Sequence, residues 1–262
     1  MPPPRRRLYI GGVPIDAIDL NGAISAVFDL VSRGDGGAVF TPNVDHVVEF
    51  THNPELREAY LAADLSLADG MPVVWVSRLL GHRLRERVAG SDLVLPLLRR
   101  AAESGKRVFL LGGQEGVAAL AARRLGQSVP GLQIAGTLAP RIDMREPASL
   151  RADVVKAVAA TRPDLVVVGL GAPKQELWIH ESREALRPAV LLGLGASIDF
   201  LAGTVPRAPV WMSRAGLEWA YRLAREPRRL WRRYLVKDPE FALIVLRTLR
   251  EQRLSARRRR RP

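Results

Sequence analysis

The apolar run Leu65-Ser66-Leu67-Ala68 ends in Asp69-Gly70, a carboxylate at a strand end with a glycine beside it that lets a ligand come close. A second run, Ala38–Thr41, leads into Thr41-Pro42-Asn43 and offers two neutral hydrogen-bonding side chains. Gln175 and Glu176 open a helical stretch just past Gly171-Ala172-Pro173. A helix start of that kind suits an anion or a nucleotide base. Further glycine turns stand at Gly112-Gly113, Gly169-Leu170-Gly171 and Gly195-Ala196-Ser197-Ile198-Asp199. A base, neutral anchors and phosphate-friendly turns fit displacement at the anomeric carbon of a sugar. The base takes the proton of the acceptor hydroxyl while a diphosphate departs. Each residue also has a plainer use. Asp69 before Gly70 could cap a helix, and Asn43 beside Pro42 could simply turn the chain.

Several other chemistries are missing from the sequence. It has no Walker A loop, no GxSxG elbow and no GxGxxG after any strand, since Gly169-Leu170-Gly171 and Gly193-Leu194-Gly195 both lack the third glycine. No Asp-x-Asp pair is present to clamp a divalent metal on a nucleotide sugar. The four histidines, at 46, 52, 82 and 180, lack the spacing of a zinc helix, and there is no cysteine. The expectation is therefore no metal and no cofactor. The charge of a leaving diphosphate would fall to helix N-termini and cationic side chains.

The elements that must position these residues alternate in type up to about residue 205. Strand candidates are Ala38–Thr41, Leu65–Ala68, Arg107–Leu111, Leu132–Gly136, Leu165–Gly169 and Val190–Gly195. They are continuous apolar runs, as parallel strands buried on both faces require. Between them lie the helical patterns Ser91–Ser104, Glu115–Leu125, Ser149–Thr161 and Lys174–Leu186, with Ser91 a candidate cap and Pro173 a candidate first helical residue. This alternation predicts an α/β fold, a doubly wound, mostly parallel, Rossmann-like sheet with helices on both faces. In such sheets ligands bind beyond the carboxyl ends of the strands, which is where the polar and glycine residues collect.

Charge divides the chain more sharply than composition does. Residues 1–206 carry 23 basic and 22 acidic side chains, whereas residues 207–262 carry 17 basic and 5 acidic. The chain's net charge of +13 therefore resides almost wholly in its last fifth. A coding preference for arginine would spread along the chain, so the surplus indicates an anionic partner. Helical periodicity runs through Arg214–Trp231 and again from Pro239 to Arg253, with Trp211, Trp219 and Trp231 among the arginines. Such a pattern suits a surface at the headgroup level of a bilayer, although a helix packing its Trp and Leu face on the core would read the same way. The expected division is a core at 1–206 and a basic helical appendage at 207–262. No apolar run reaches the ~20 residues of a spanning helix, and no h-region follows Arg5–Arg7, so neither a span nor a signal peptide is expected. Absence of cysteine suits the cytoplasm.

Longer motifs carry a resemblance. Thr41-Pro42-Asn43, Ala68-Asp69-Gly70-Met71-Pro72, Arg87-Val88-Ala89-Gly90-Ser91-Asp92, GLGAPKQE at 169–176 and GASIDFLAG at 195–203 occur in that order. Arg207-Ala208-Pro209 and GLEWAYRLAREPRRLWRRY at 216–234 follow. The chain thereby resembles the WecG/TagA/CpsF family of bacterial glycosyltransferases, glycosyltransferase family 26, from about residue 8 to 235. The resemblance implies an inverting, metal-independent transfer from a UDP-sugar to an undecaprenyl-diphosphate-linked sugar, with a UDP-N-acetylmannosamine-like donor favoured. The reaction would serve cell-surface polysaccharide or teichoic-acid-type synthesis on the inner face of the cell membrane, with the enzyme held peripherally. By motif, Asp69 resembles the catalytic base. Thr41, Asn43 and Gln175 resemble substrate-pocket residues; Gly112 and Gly171 are substrate-binding candidates from their place in the strand-end turns. Arg87 resembles a residue near the acceptor or the phosphates, and Asp199 lies in a motif associated with nucleotide binding. Arg222, Arg229 and Arg232 match arginines that a mobile C-terminal appendage brings to the active site.

Two rival readings account for less of the sequence. A nucleic-acid-binding protein would explain Arg257–Arg261 but not the near-neutral core, so no nucleic-acid partner is expected. Another sugar-nucleotide enzyme, an epimerase or dehydrogenase, is disfavoured by the missing glycine fingerprint. The sequence leaves the donor sugar, the acceptor linkage and a homo-oligomer open.

Overall fold

The computed structural model describes residues 6–82 and 84–258, with the side chains of Val210, Arg214, Arg229, Arg233, Tyr234 and 252–258 left out. The chain opens with a hairpin, β1 (Arg7–Ile10) and β2 (Val13–Asp16). Alternation then begins with α1 (Leu20–Arg33), β3 (Gly37–Phe40), α2 (Val44–His52), α3 (Pro54–Leu61), β4 (Leu65–Ser66) and α4 (Met71–Leu79). It continues through α5 (Gly90–Glu103), β5 (Arg107–Gly112), α6 (Val117–Ser128), β6 (Gln133–Leu138), α7 (Ala152–Ala160), β7 (Leu165–Gly169), α8 (Lys174–Ser182), β8 (Val190–Gly193) and α9 (Ser197–Ala202). Four α-helices and a π-helical turn (Arg233–Lys237) close the described chain: α10 (Val210–Arg214), α11 (Glu218–Arg225), α12 (Pro227–Arg232) and, after the turn, α13 (Glu240–Arg258).

Six strands form one parallel sheet in the order β4-β3-β8-β7-β5-β6. Alternate residues of each central strand feed two separate cores. Val166 and Val168 of β7, Phe109 and Leu111 of β5 and Phe40 of β3 face the layer of α2, α3, α8 and the β1–β2 hairpin. Leu165, Val167, Val108, Leu110 and Val39 face α1, α5, α6 and α9. The period-2 geometry of a strand makes a continuous apolar run the only pattern that serves both layers. Because all six strands are parallel, their C-terminal ends lie on one edge. The doubly wound sheet expected from the alternation is present.

Local details differ from the sequence reading. Strand β4 pairs through Leu65 and Ser66 only, and β6 begins and ends later than expected. Ser91 is not a cap, because α5 starts at Gly90 with Ala89 at the cap position and no side-chain cap bond. Pro173 occupies the cap position of α8 rather than its first turn. The periodic stretch 214–231 breaks twice. Gly216 adopts φ 73°, a left-handed conformation, and a Cβ there would lie 2.6 Å from the Trp75 ring. Glu226 then leaves helical geometry before Pro227 opens α12.

The hairpin and α13 pack on each other, although neither local sequence signals the other. Phe241, Ile244 and Val245 of α13 are buried in the same cluster as Ile10, Val13, Val47 and Phe50. Gly11 at the hairpin turn lets Ile244 and Val47 close over it, and its N–H donates to Thr248 Oγ1 at 3.4 Å. Each such side chain taken out of water contributes about 1.5–3 kcal/mol. The last helix is thus seated on the core, beside the first strands.

Candidate active site

A cleft of about 390 Å³ opens at the C-terminal edge of the sheet, next to β3 and β4. Its floor comes from the strand ends, with Asn43, Asp69 and Gly70, and its roof from the C-terminal helices, with Glu218, Trp219, Arg222, Leu235 and Phe241. Arg87, on the segment between α4 and α5, stands at the junction of the two.

Asp69 follows β4 by three residues, and its N–H bonds to the Pro42 carbonyl at 2.9 Å, which ties the two strand-end loops together. Helix α4 starts with Gly70 at the cap position and no side-chain cap bond, so the Asp69 carboxylate is not spent on capping. Gly70 holds φ 103°, a conformation that glycine adopts freely, and the chain turns sharply there. Burial pushes the Asp69 carboxyl up to about 6, the nearby Glu218 carboxylate adds to the rise, and Arg222, Arg87 and His46 oppose it. A carboxylate with that proton affinity is ionised at neutral pH yet basic enough to take a proton from a hydroxyl in a transition state.

Two guanidinium groups flank it. Arg87 Nη1 donates to Glu218 Oε2 at 2.7 Å and Arg87 Nη2 to Asp92 Oδ2 at 2.7 Å. Arg222 Nη2 lies 2.9 Å from Glu218 Oε1, one turn along α11, and its guanidinium sits 5.5 Å from the Phe200 ring centre. Arg207 pairs with Asp92 as well. Carboxylates of the core and of the C-terminal helices therefore share one arginine network, and a diphosphate is the kind of anion such a pair of guanidiniums binds.

The remaining sequence-predicted residues divide into those on the cleft and those behind or beside it. Asn43 lines the cleft and also caps α2, accepting from Asp45 N at 3.1 Å and His46 N at 3.4 Å, so the turn role and the site role coexist. Thr41 is buried and its hydroxyl donates to the Gly193 carbonyl at 3.1 Å, joining the ends of β3 and β8 behind the cleft. Gln175 is buried too; it accepts from Gly195 N at 3.0 Å and donates to Glu176 Oε1 at 2.7 Å. Gly112 ends β5, where a Cβ would strike the Gly169 carbonyl at 2.4 Å, a close approach that glycine alone permits. Gly171 and Asp199 stand farther along the same sheet edge, beyond β7 and β8 and outside the cleft wall. Arg232 is exposed on α12 with its guanidinium 5.4 Å from the Trp231 ring centre, and it does not line the cleft. The side chain of Arg229 and residues 259–261 lie outside the described residues.

Sequence reasoning missed two participants, Glu218 and His46, and placed Glu176 only at the start of its helix, not in a pair. Glu218 lies within the 216–234 motif, but nothing in its local sequence announces that it meets Arg87, 131 residues away. His46 and Glu176 form a buried pair, Nε2 to Oε1 at 3.2 Å, that joins Asn43 to Gln175 under the cleft floor. Among the described residues, no group of three or more His, Cys, Asp or Glu is placed to hold a metal ion.

Comparison with known proteins accords with this geometry. The model of the WecG/TagA/CpsF glycosyl transferase family matches residues 8–255, so the likeness extends past residue 235 and takes in most of α13. A Bacillus spizizenii (strain W23) N-acetylglucosaminyldiphosphoundecaprenol N-acetyl-beta-D-mannosaminyltransferase is 39% identical over 217 residues, 82% of this chain and 81% of its own. The protein of that description from Bacillus subtilis (strain 168) is 36% identical over 211 residues, 80% of this chain and 79% of its own. With the family model spanning nearly the whole length and the fold and cleft as described, this chain belongs to the WecG/TagA/CpsF family of glycosyl transferases.

Proposed function

We propose that the chain transfers N-acetylmannosamine from a UDP donor to N-acetylglucosamine carried on undecaprenyl diphosphate. The observation that carries the chemistry is Asp69 at the cleft floor with Arg87 and Arg222 beside it. Asp69 takes the proton of the acceptor hydroxyl as that oxygen attacks the anomeric carbon. The C–O bond to the diphosphate breaks on the opposite face, so one displacement inverts the centre. The two guanidiniums meet the charge that develops on the leaving group, with no metal required. Asn43, with Thr41 and Gln175 holding the strand ends behind it, orients the sugar; the glycine turns at Gly112 and Gly171 and the Asp199 segment accommodate the nucleotide. By motif Arg229 and Arg232 belong to the arginines of the C-terminal appendage, Arg232 being exposed on α12 outside the cleft wall.

The choice of sugar and acceptor follows the two relatives, whose names specify both. Residues 1–206 act as the catalytic core and 207–262 as an appendage that roofs the site and rests on the anionic inner membrane face. Trp211, Trp231, Leu235, Val236, Leu243 and Leu246 are all 44–63% exposed, which suits insertion among headgroups, and the surrounding arginines suit anionic lipid. Among the described residues no helix is long and apolar enough to cross a membrane, so this surface is where contact with a lipid-linked acceptor would occur.

The test is a transfer assay with radiolabelled UDP-N-acetylmannosamine and a short-chain lipid-diphosphate N-acetylglucosamine. The expected product is a β-linked disaccharide. Equal or better transfer from UDP-N-acetylglucosamine would move the proposal to a different donor, and transfer from neither would overturn it.

A further inference from the structure

Glu218 stands where an anionic ligand is expected. Its two carboxylate oxygens face two different cations, Oε2 to Arg87 at 2.7 Å and Oε1 to Arg222 at 2.9 Å, and Ser213 Oγ lies 3.4 Å from Oε2. The group spans the gap between a core guanidinium and a roof guanidinium, as the two phosphates of a diphosphate would. It lines the same cleft as Asp69 and adds a like charge beside that carboxylate. Its side chain is 24% exposed, so the pair is reachable from the cleft. Arg87 keeps a second carboxylate, Asp92, whichever anion holds its other face.

We propose that Glu218 is a placeholder for the substrate diphosphate, holding Arg87 and Arg222 in position in the empty site and being exchanged for the diphosphate on binding. This role rests on the reading of the cleft as a diphosphate site. A carboxylate bridging two guanidiniums keeps them oriented and prevents their mutual repulsion from splaying the roof off the core. An arriving diphosphate forms the same bidentate contacts with more charge and releases Glu218. The exchange costs affinity, because the ligand must displace an existing ion pair before it gains its own. Two diphosphates are available to a transferase of this kind, that of the nucleotide donor and that of the lipid acceptor, and either has the chemistry.

The experiment measures binding by calorimetry on the full chain, comparing wild type with Glu218→Gln. The titrants are UDP, uridine and a soluble prenyl diphosphate. Glutamine keeps the shape and one acceptor but loses the charge, so diphosphate should bind about tenfold tighter to the variant, the equivalent of about 1.4 kcal/mol. Uridine affinity should not change, since it has no phosphate to exchange. Glu240→Gln makes the same charge change at a carboxylate paired with His52 outside the cleft wall, and it should leave all three affinities unaltered. Tightening for UDP alone, for the prenyl diphosphate alone, or for both supports the role and identifies which diphosphate takes the place. Wild type that binds UDP while Glu218→Gln binds both diphosphates no tighter overturns the role and leaves the reading of the cleft intact. A wild type that binds neither diphosphate overturns both. Should Glu218→Gln fail to fold, Glu218→Asp is the substitute: its shorter side chain cannot bridge both arginines, and unchanged diphosphate affinity there would likewise overturn the role.

Discussion

Arg87 donates to Glu218 across 131 residues of chain, and this one ion pair joins the strand-end floor of the cleft to its helical roof. On the far side of Arg87 stands Asp92, which also holds Arg207, the residue at which the basic segment begins. The roof is pinned to the core at its start by Arg207, at its middle by Glu218 and at its end by the apolar face of α13. A site assembled this way loses its roof one fastening at a time.

Asp69→Asn should lower turnover by about 10²–10⁴, the usual worth of a positioned base, while UDP affinity stays near wild type. The same change should stabilise the protein at neutral pH. The folded-state value of Asp69, about 6, lies above its unfolded value near 4, so the folded protein holds the proton more tightly. Keeping Asp69 ionised above pH 6 therefore costs folding free energy, on the order of 2 kcal/mol, and that cost fades as pH falls from 6 toward 4. Thermal unfolding at pH 7.5 and pH 4.5 checks this. A variant with near wild-type turnover on the lipid-linked acceptor would remove Asp69 from the mechanism.

The pH profile of kcat/KM should fall on the acid side with an apparent pKa near 6, where Asp69 takes up its proton. Arg222 and Arg87 both favour the ionised carboxylate. Arg222→Ala should therefore move that limb to higher pH as well as lower turnover. An unmoved limb would mean that another group governs the profile.

Transfer should continue in EDTA. The described residues include no cluster able to hold a metal, and the arginines at the cleft can meet the diphosphate charge directly. Activity abolished by EDTA and restored by Mg²⁺ or Mn²⁺ would contradict this.

From the sequence, cutting the chain at 207 removes a basic appendage that supplies arginines to the site and leaves a folded core with little transferase activity. The structure adds a cost, because Phe241, Ile244 and Val245 leave with it and uncover Ile10, Val47 and Phe50. Ile244→Ala alone should destabilise by about 2–4 kcal/mol, the range for a buried large-to-small change. The truncated protein should unfold at lower denaturant than full-length chain and transfer little sugar. Equal midpoints in urea would show that α13 does not stabilise the core.

Binding to anionic liposomes should weaken in Trp211→Ala/Trp231→Ala, since both rings are exposed, and weaken further when Arg257 to Arg261 are neutralised. Each arginine near such a surface contributes roughly 1 kcal/mol, and raising salt should release the protein. Retention at high salt by the doubly altered protein would place the contact elsewhere.

The sequence by itself determined the parallel sheet, because strands buried on both faces must be apolar without interruption, and Leu165–Gly169 and Val190–Gly193 are. It also marked Asp69 and Asn43 as strand-end groups, since glycine and proline beside them signal where a strand stops. It placed the positive charge in the last fifth of the chain. What it could not show is the pairing of distant segments. Glu218 with Arg87, His46 with Glu176, and Ile244 on Gly11 join stretches whose local sequences contain no sign of one another. Periodicity and caps act over a few residues, whereas these contacts depend on how the layers stack. Only the tertiary structure decided which polar residues face the cleft and which, like Thr41 and Gln175, use their hydrogen bonds to hold its walls.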